Sequence, residues 1–359
     1  MQQGKTLIQL ATELERQLET RKDYLAPVGR LALVANEPDT TSPVQLHLAN
    51  TGTFDLNRHA HGQLGDHVGI PSRYYERMLK EAPQLLATNV NEWLQREPKT
   101  RRMVRTLDGT ARAFLSDRYR PLDNHDLAEV VLPELMRRGA KVVSAELTEQ
   151  RLYIKAVLDA LEMTVPGSRQ VGDVVQAGLV ISNSEVGAGA LRIEPMTFRL
   201  VCLNGAIAPT AMKRYHVGRI AELETEVRAV LSDESRKADD KALWLKVRDV
   251  VRAAWDKDLF VAQVTKMAEA AEQKIESSDI GAVIEAVQER FSFSDEIGKS
   301  ILKNLIEGGD LSRYGLMNAV TAVANSEEVD YETGTDLQRA GGQIVELPQG
   351  EWRKIAEAA

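Results

Sequence analysis

Cysteine is all but missing from this chain. Cys202 is the single thiol in 359 residues, which excludes an internal disulfide framework and any all-cysteine zinc or iron–sulfur site. Aromatic residues make up only 5%, and together with the lone cysteine this leaves little room for redox or metal chemistry. No stretch approaches the roughly 18 uninterrupted apolar residues of a membrane helix. The first turns carry Glu13, Glu15, Glu19 and Asp23 where a signal peptide has its apolar core. The expectation is a cytoplasmic protein with no membrane partner. There is no Gly-x-x-x-x-Gly-Lys-Ser/Thr run either, so P-loop ATP hydrolysis is not expected.

What remains is an ordinary globular composition, 43% hydrophobic and 27% charged, long enough for roughly two domains with cores of their own. The net charge of −8 argues at first against a nucleic-acid partner, but it is a sum of unlike halves. Residues 1–220 hold 28 Lys and Arg against 25 Asp and Glu; the remainder holds 17 against 28. Between Arg96 and Arg120 there are eight basic residues and three acidic ones, and seven of the eight are arginine, the side chain suited to bidentate phosphate contacts and to stacking on bases. Lys213, Arg214 and Arg219 form a second group around Tyr215 and His216. The plain alternative for the first group is a solvated strand face.

Apolar residues at helical spacing predict a helix over 6–19. Short strands follow at 30–34 and 44–48, then helices over 61–80 and 83–95. From Arg101 the period changes to two: residues 103–107 and 110–115, joined by Asp108-Gly109, read as a β-hairpin. Asn124 reads as the cap of a helix ended by Gly139. A second hairpin spans 141–147 and 152–158, followed by strands at 174–182 and 191–202. Beyond Ile220 helices are predicted at 220–231, 240–255, 259–275, 280–291, 295–306 and 314–324. The fold class is therefore α+β: a curved antiparallel sheet with a hairpin–helix–hairpin core, then an all-helical C-terminal domain. The expected division is 1–100, a helical and short-strand region; 101–219, a β-rich core with a basic hairpin; and 220–359, an acidic helical domain.

No constellation spells out a reaction. His59, His61 and His67 lie close in sequence, but His59 and His61 suit one element and His67 the next, so capping or surface roles are favoured over a metal site. Asp117, Asp123, Asp126 and Glu129 surround a helix start, where carboxylates favour the helix dipole anyway. Cys202, in the apolar run 199–203, reads as a buried, inert thiol. Residues 63–79 fit a helix-turn-helix, with Leu64, Gly69, Ile70, Tyr75 and Leu79 at packing positions and Ser72, Arg73, Glu76 and Arg77 facing outward; any two helices joined by a glycine turn produce such a match.

Four runs resemble a known family: 115–124 (LSDRYRPLDN), 179–184 (LVISNS), 198–205 (FRLVCLNG) and 314–321 (YGLMNAVT). They are similar to the phage and plasmid proteins of domain-of-unknown-function family 932, over roughly 52–347. Two departures stand out. Glu185-Val186-Gly187 follows Asn183-Ser184 where the family often has His-Asp-Gly, and Gly205-Ala206 follows Asn204 where it often has Thr-Leu. The resemblance implies a bacterial host cell and a setting in phage or mobile-element replication and recombination. At the level of architecture, hairpin–helix–hairpin order with basic residues is similar to the Rad-fifty-two type of single-strand annealing protein, which lines a ring with such residues; fold alone does not fix function.

The leading expectation is a homo-oligomeric ring or filament that binds single-stranded DNA and anneals it without ATP. It needs no cofactor, no metal and no catalytic residue. Cations hold the phosphate backbone while base edges stay free to pair. The expected contacts are Arg101, Arg102, Arg105 and Arg112 on the first hairpin, with Arg118, Arg120, Lys155, Lys213 and Arg214 lining the same groove, and Tyr119 and Tyr215 stacking on bases. The acidic helices are expected to recruit a recombination or replication protein. The alternatives are a non-enzymatic accessory protein and a duplex-binding regulator acting through 63–79; a metal-dependent nuclease comes last.

Overall fold

A computed structural model of the chain describes residues 2, 4–37, 42–209 and 233–358. Helix α1 (Leu7–Thr20) starts from a reciprocal capping box between Thr6 and Gln9. Six strands then build a first sheet: β1 (Lys22–Pro27), β2 (Leu31–Ala35), β3 (Val44–Leu48), β4 (Gly52–Leu56), β5 (Arg101–Leu107) and β6 (Thr110–Ser116), in the order β1-β5-β6-β4-β3-β2. All its pairs are antiparallel except β4 with β6. Alternate side chains such as Leu31, Leu33, Leu46 and Val104 bury one face against α2 (Arg58–His67), α3 (Ser72–Glu81) and α4 (Pro83–Leu94). On β2, an edge strand, Asn91 of α4 imitates a neighbouring strand: it accepts from the Leu33 amide at 2.7 Å and donates to the Leu33 carbonyl at 2.8 Å.

The β5–β6 turn has Asp108 at φ 51° and Gly109 at φ 79°, the left-handed pair that a two-residue hairpin loop requires. Further along the ladder Arg105 faces Ala113 while Thr106 faces Ala111. Arg112 is therefore the extra residue of a β-bulge, the device that re-aims one side chain out of the regular alternation.

After α5 (Asn124–Arg137) comes a second, wholly antiparallel sheet in which consecutive strands are neighbours: β7 (Lys141–Leu147), β8 (Leu152–Thr164), β9 (Val174–Asn183), β10 (Arg192–Arg199) and β11 (Asn204–Ile207). Helices α6 (Asp233–Ala253), α7 (Lys257–Glu272), α8 (Ile280–Phe291), α9 (Asp295–Gly308), α10 (Arg313–Val323), α11 (Tyr331–Glu346) and α12 (Gln349–Ala356) complete the chain. The second sheet is covered on both faces. Leu152, Ile154, Ala156 and Ile181 share a core with residues of α1, α5 and α6, while the alternating Tyr153 and Lys155 turn to α11. Val175 and Ala206 share a further core with α7, α10 and α11.

The α+β class and the all-helical C-terminal region are as the sequence predicts. The two hairpins, however, belong to different sheets: the first pairs with β1 and β4, the second with β9. The strand expected over 191–202 ends at Arg199. The helix expected over 220–231 lies outside the described residues. No helix among the described residues is long and apolar enough to cross a membrane.

Candidate functional site

The two ends of the β5–β6 hairpin have opposite characters. Towards its turn, arginines face inward against the loop after β9 and the start of α5. Arg105 is fully buried: Nε donates to Asp23 Oδ1 at 2.8 Å, Nη2 to Asp123 Oδ1 at 2.7 Å and Nη1 to the Glu185 carbonyl at 2.7 Å. Arg21 lies 2.8 Å from Asp123 Oδ2. Arg112 is less well matched, with Nη2 3.3 Å from Glu185 Oε2 and a buried Nε that has no partner. Asn124 Nδ2 donates to Glu185 Oε1 at 2.8 Å, and Asn183 Nδ2 donates to Asn124 Oδ1 at 2.9 Å and to the Leu122 carbonyl at 2.8 Å. Asp123 and Asn124 thus spend their side chains here; Asp123 occupies the N-cap position of α5 and makes no side-chain cap bond.

The carboxyl groups of this cluster part ways. Burial raises the Glu185 carboxyl against the pull of Arg112, and the neighbouring Asp123 charge adds to the rise. Asp123 is also buried, but Arg105 and Arg21 outweigh that and hold it below the ordinary carboxylate range. Beside the cluster a cleft of about 350 Å³ opens between α1, the β5–β6 turn and the β7–β8 turn. Arg112, Asn124 and Glu185 form its buried wall, and Asn57, Gln150 and Arg151 its half-exposed side.

At the other end of the hairpin the cations are open to solvent. Arg96, Lys99, Arg101 and Arg118 are exposed, with Glu97 and Asp117 among them. Arg102 is half-buried, its Nη2 2.7 Å from His67 Nδ1. Trp93 is 43% exposed, and the Arg96 guanidinium lies 4.0 Å from its ring centre, a cation–π pair on the surface.

The groove expected from the sequence is therefore divided. Arg101 and Arg118 are exposed and Arg102 is partly so, whereas Arg105 and Arg112 are enclosed among carboxyl groups. Tyr119 is not open for stacking: burial pushes its hydroxyl up to about 12, and it donates to the Ser184 carbonyl at 3.0 Å. Arg120 bonds Asp239 at 3.1 Å, and also Asp240, on α6. Lys155 lies on the far side of the second sheet, because strand alternation turns it to α11. There it donates to Thr335 Oγ1 at 2.9 Å and Gln338 Oε1 at 2.8 Å, and burial pushes its amine down to about 7. A charge on a strand with apolar neighbours is buried and must find partners inside the protein; this is why Arg105, Arg112 and Lys155 do not share one open groove with Arg101 and Arg118. Lys213, Arg214 and Tyr215 lie outside the described residues.

The three histidines go separate ways: His59 Nε2 to the Val186 carbonyl, His61 Nδ1 to the Tyr75 hydroxyl and His67 to Arg102. His125, Asp126 and Glu129 on α5 bring one ligand-type atom each within 4.8 Å of the others. Cys202 is exposed rather than buried, because the chain turns between β10 and β11 instead of continuing as a strand. In the segment 63–79, Leu64, Ile70 and Tyr75 are buried and Ser72, Arg73, Glu76 and Arg77 exposed.

The four runs that carry the family resemblance meet in pairs. Residues 115–124 and 179–184 join through Asn183, Leu122 and Tyr119. Residues 198–205 and 314–321 join at Asp173, which accepts from Arg199 Nε at 2.5 Å and from the Tyr314 hydroxyl at 2.9 Å. Residues 112–340, more than half of the chain, match the family described as Domain of unknown function (DUF932). The chain belongs to DUF932. No curated protein and no solved structure matches it.

The DUF932 match opens at Arg112 and so takes in Asp123, Asn124 and Glu185, but not Asp23 or Arg21. Those partners, and Trp93, are the site residues that the sequence reading passes over. The available signal was the placement of Arg105 and Arg112 within β5 and β6, where Val104, Ala111 and Ala113 are apolar: a cation in that position calls for carboxylates from elsewhere in the chain.

Proposed function

We propose that this DUF932 protein binds single-stranded DNA and anneals complementary strands without ATP, as a homo-oligomer in phage or mobile-element recombination inside a bacterial host. The observation that carries this reading is the open end of the first hairpin, where Arg101, Arg102 and Arg118 lie, led into by a segment that holds Lys99 and Arg96, the latter over the exposed ring of Trp93. Such a surface holds phosphates by charge and offers one ring face to a base, which is sequence-tolerant and demands no bond chemistry. The acidic helices after residue 220 repel nucleic acid, restrict it to that end and leave a surface for a basic recombination or replication partner.

The test is anisotropy of a short labelled single strand, measured over a range of salt. Replacing Arg96, Arg101 and Arg118 together by alanine is expected to flatten the slope of log K against log salt by about 2, at roughly 0.7 per phosphate contact. Trp93→Ala is expected to weaken binding about tenfold, as the loss of one stacked base does. No binding at low salt sinks the proposal. Faster pairing of two complementary strands in the absence of ATP tests the annealing step. A preference for one duplex, lost in Arg73→Ala and Arg77→Ala, would favour a regulator acting through α2 and α3, whose outward face carries both arginines.

A further inference from the structure

Both sheets are open, with outer edges at β1 and β2 in the first and at β7 and β11 in the second. We propose that the β1 edge joins two copies of this chain, strand to strand and antiparallel, about a two-fold axis at Leu25. Such a contact rests on the homo-oligomer of the proposed function and on no part of its DNA binding.

The other edges are covered from within the chain. At β2, Asn91 takes both the amide and the carbonyl of Leu33. Beside β7 run the first residues of the chain: the Lys5 amide donates to the Ala145 carbonyl at 2.6 Å, and Ser144 Oγ donates to the Gln2 carbonyl at 3.1 Å. At β11, helix α11 comes so close to the Ile207 carbonyl that Gly342 has no room for a Cβ. Among the described residues β1 has no such cover. An open row of amides and carbonyls is a template for another strand. A second copy brings the same covered edges, so β1 is left to meet β1, and identical strands paired antiparallel are related by a two-fold axis, which closes on itself.

The phase of the ladder fixes which groups face outward. The Val28 amide donates to the Thr100 carbonyl at 2.8 Å, and the register from Pro27↔Arg101 to Lys22↔Thr106 continues from it without a shift. Ala26, Tyr24 and Lys22 therefore bond β5, while the amides and carbonyls of Asp23 and Leu25 and the Pro27 carbonyl point to the open edge. With the axis at Leu25, the two Leu25 residues exchange both bonds and each Asp23 amide faces the Pro27 carbonyl opposite. The proline, which has no N–H to give, has there only to accept. The Leu25 side chain, 43% exposed, then covers its own copy; an axis at Tyr24 would set it against Asp23, whose carboxylate is engaged by Arg105. Lys22, a residue type that blunts sheet edges, stands outside the paired stretch 23–27.

The experiment is sedimentation velocity of the whole chain over a range of concentrations. The native chain is expected to pass from 39.8 kDa to twice that mass or a multiple of it. Leu25→Val and Leu25→Pro have similar apolar bulk, but the proline removes the outward N–H from each copy without touching a bond to β5. Association is expected to be roughly ten- to hundredfold weaker in Leu25→Pro than in Leu25→Val, the effect of the two bonds lost at the axis. Leu25→Lys sets like charges against each other and is expected to leave single chains with the melting temperature unchanged, so it decides the matter if Leu25→Pro fails to fold. Equal association in Leu25→Val and Leu25→Pro, or an oligomer indifferent to Leu25→Lys, overturns the proposal and leaves the homo-oligomer standing. A native chain that stays single at every concentration overturns both, whatever its affinity for a labelled strand.

Discussion

A buried charged side chain has to be paid for locally, and Arg105, Glu185 and Lys155 do so in three ways. Arg105 gathers Asp23, Asp123 and a carbonyl. Removing it strands two carboxylates, so Arg105→Ala is expected to cost about 3–5 kcal/mol in urea denaturation. At Glu185 burial raises the carboxyl above its ordinary range against the pull of Arg112. A carboxyl raised in the folded state contributes stability that is complete below its unfolded value and is lost as pH rises through its folded value. The stability difference between the native chain and Glu185→Gln is therefore expected to shrink steadily as pH rises out of the acid range. Lys155 meets burial by shedding its proton. With its amine lowered from 10.5 to about 7, the unfolded chain binds more protons across that interval, so stability rises with pH from about 7 towards 10.5. In Lys155→Met that rise is expected to be missing from denaturation curves taken at several pH values.

At the scale of elements the β5–β6 hairpin is the clearest case. Gly109→Ala forces a Cβ onto a residue at φ 79° and is expected to cost about 1 kcal/mol, read as a lowered melting temperature. This hairpin and its turn were legible in the sequence because period-two patterning and Asp-Gly are local signals. The partners of its strands were not. Nothing within residues 101–116 says that β1 and β4 flank them instead of the second hairpin, and β1 and β4 are short. The helix α11 was hidden for another reason. Gly334, Gly341 and Gly342 weaken its local helical preference, yet a Cβ at Gly342 would stand 1.8 Å from the Ile207 carbonyl oxygen, so the glycine is what lets α11 lie on β11. Cys202 misled in the reverse sense, since Leu200, Val201 and Leu203 look like strand and are turn. At the candidate site the exposed arginines were readable from composition; which ones stay exposed depended on strand alternation, the bulge at Arg112 and carboxylates supplied by distant segments.

For the molecule as a whole, charge is separated but not isolated. Arg120, two residues beyond the exposed Arg118, is held by Asp239 and Asp240 of α6, which brings the acidic region to the border of the basic one. Asp239→Asn with Asp240→Asn is expected to tighten strand binding a few-fold at low salt and to have no effect at high salt, where such fields are screened. Asn91 bears on assembly. By occupying both polar groups of Leu33, it denies the outer edge of β2 to any incoming strand, the usual entry for edge-to-edge aggregation. Strand addition along that edge is thereby opposed at Leu33, so the proposed ring or filament would have to be built from side-chain contacts there. Asn91→Leu would unlock the edge, and light scattering of the concentrated variant is expected to grow beyond that of the native protein.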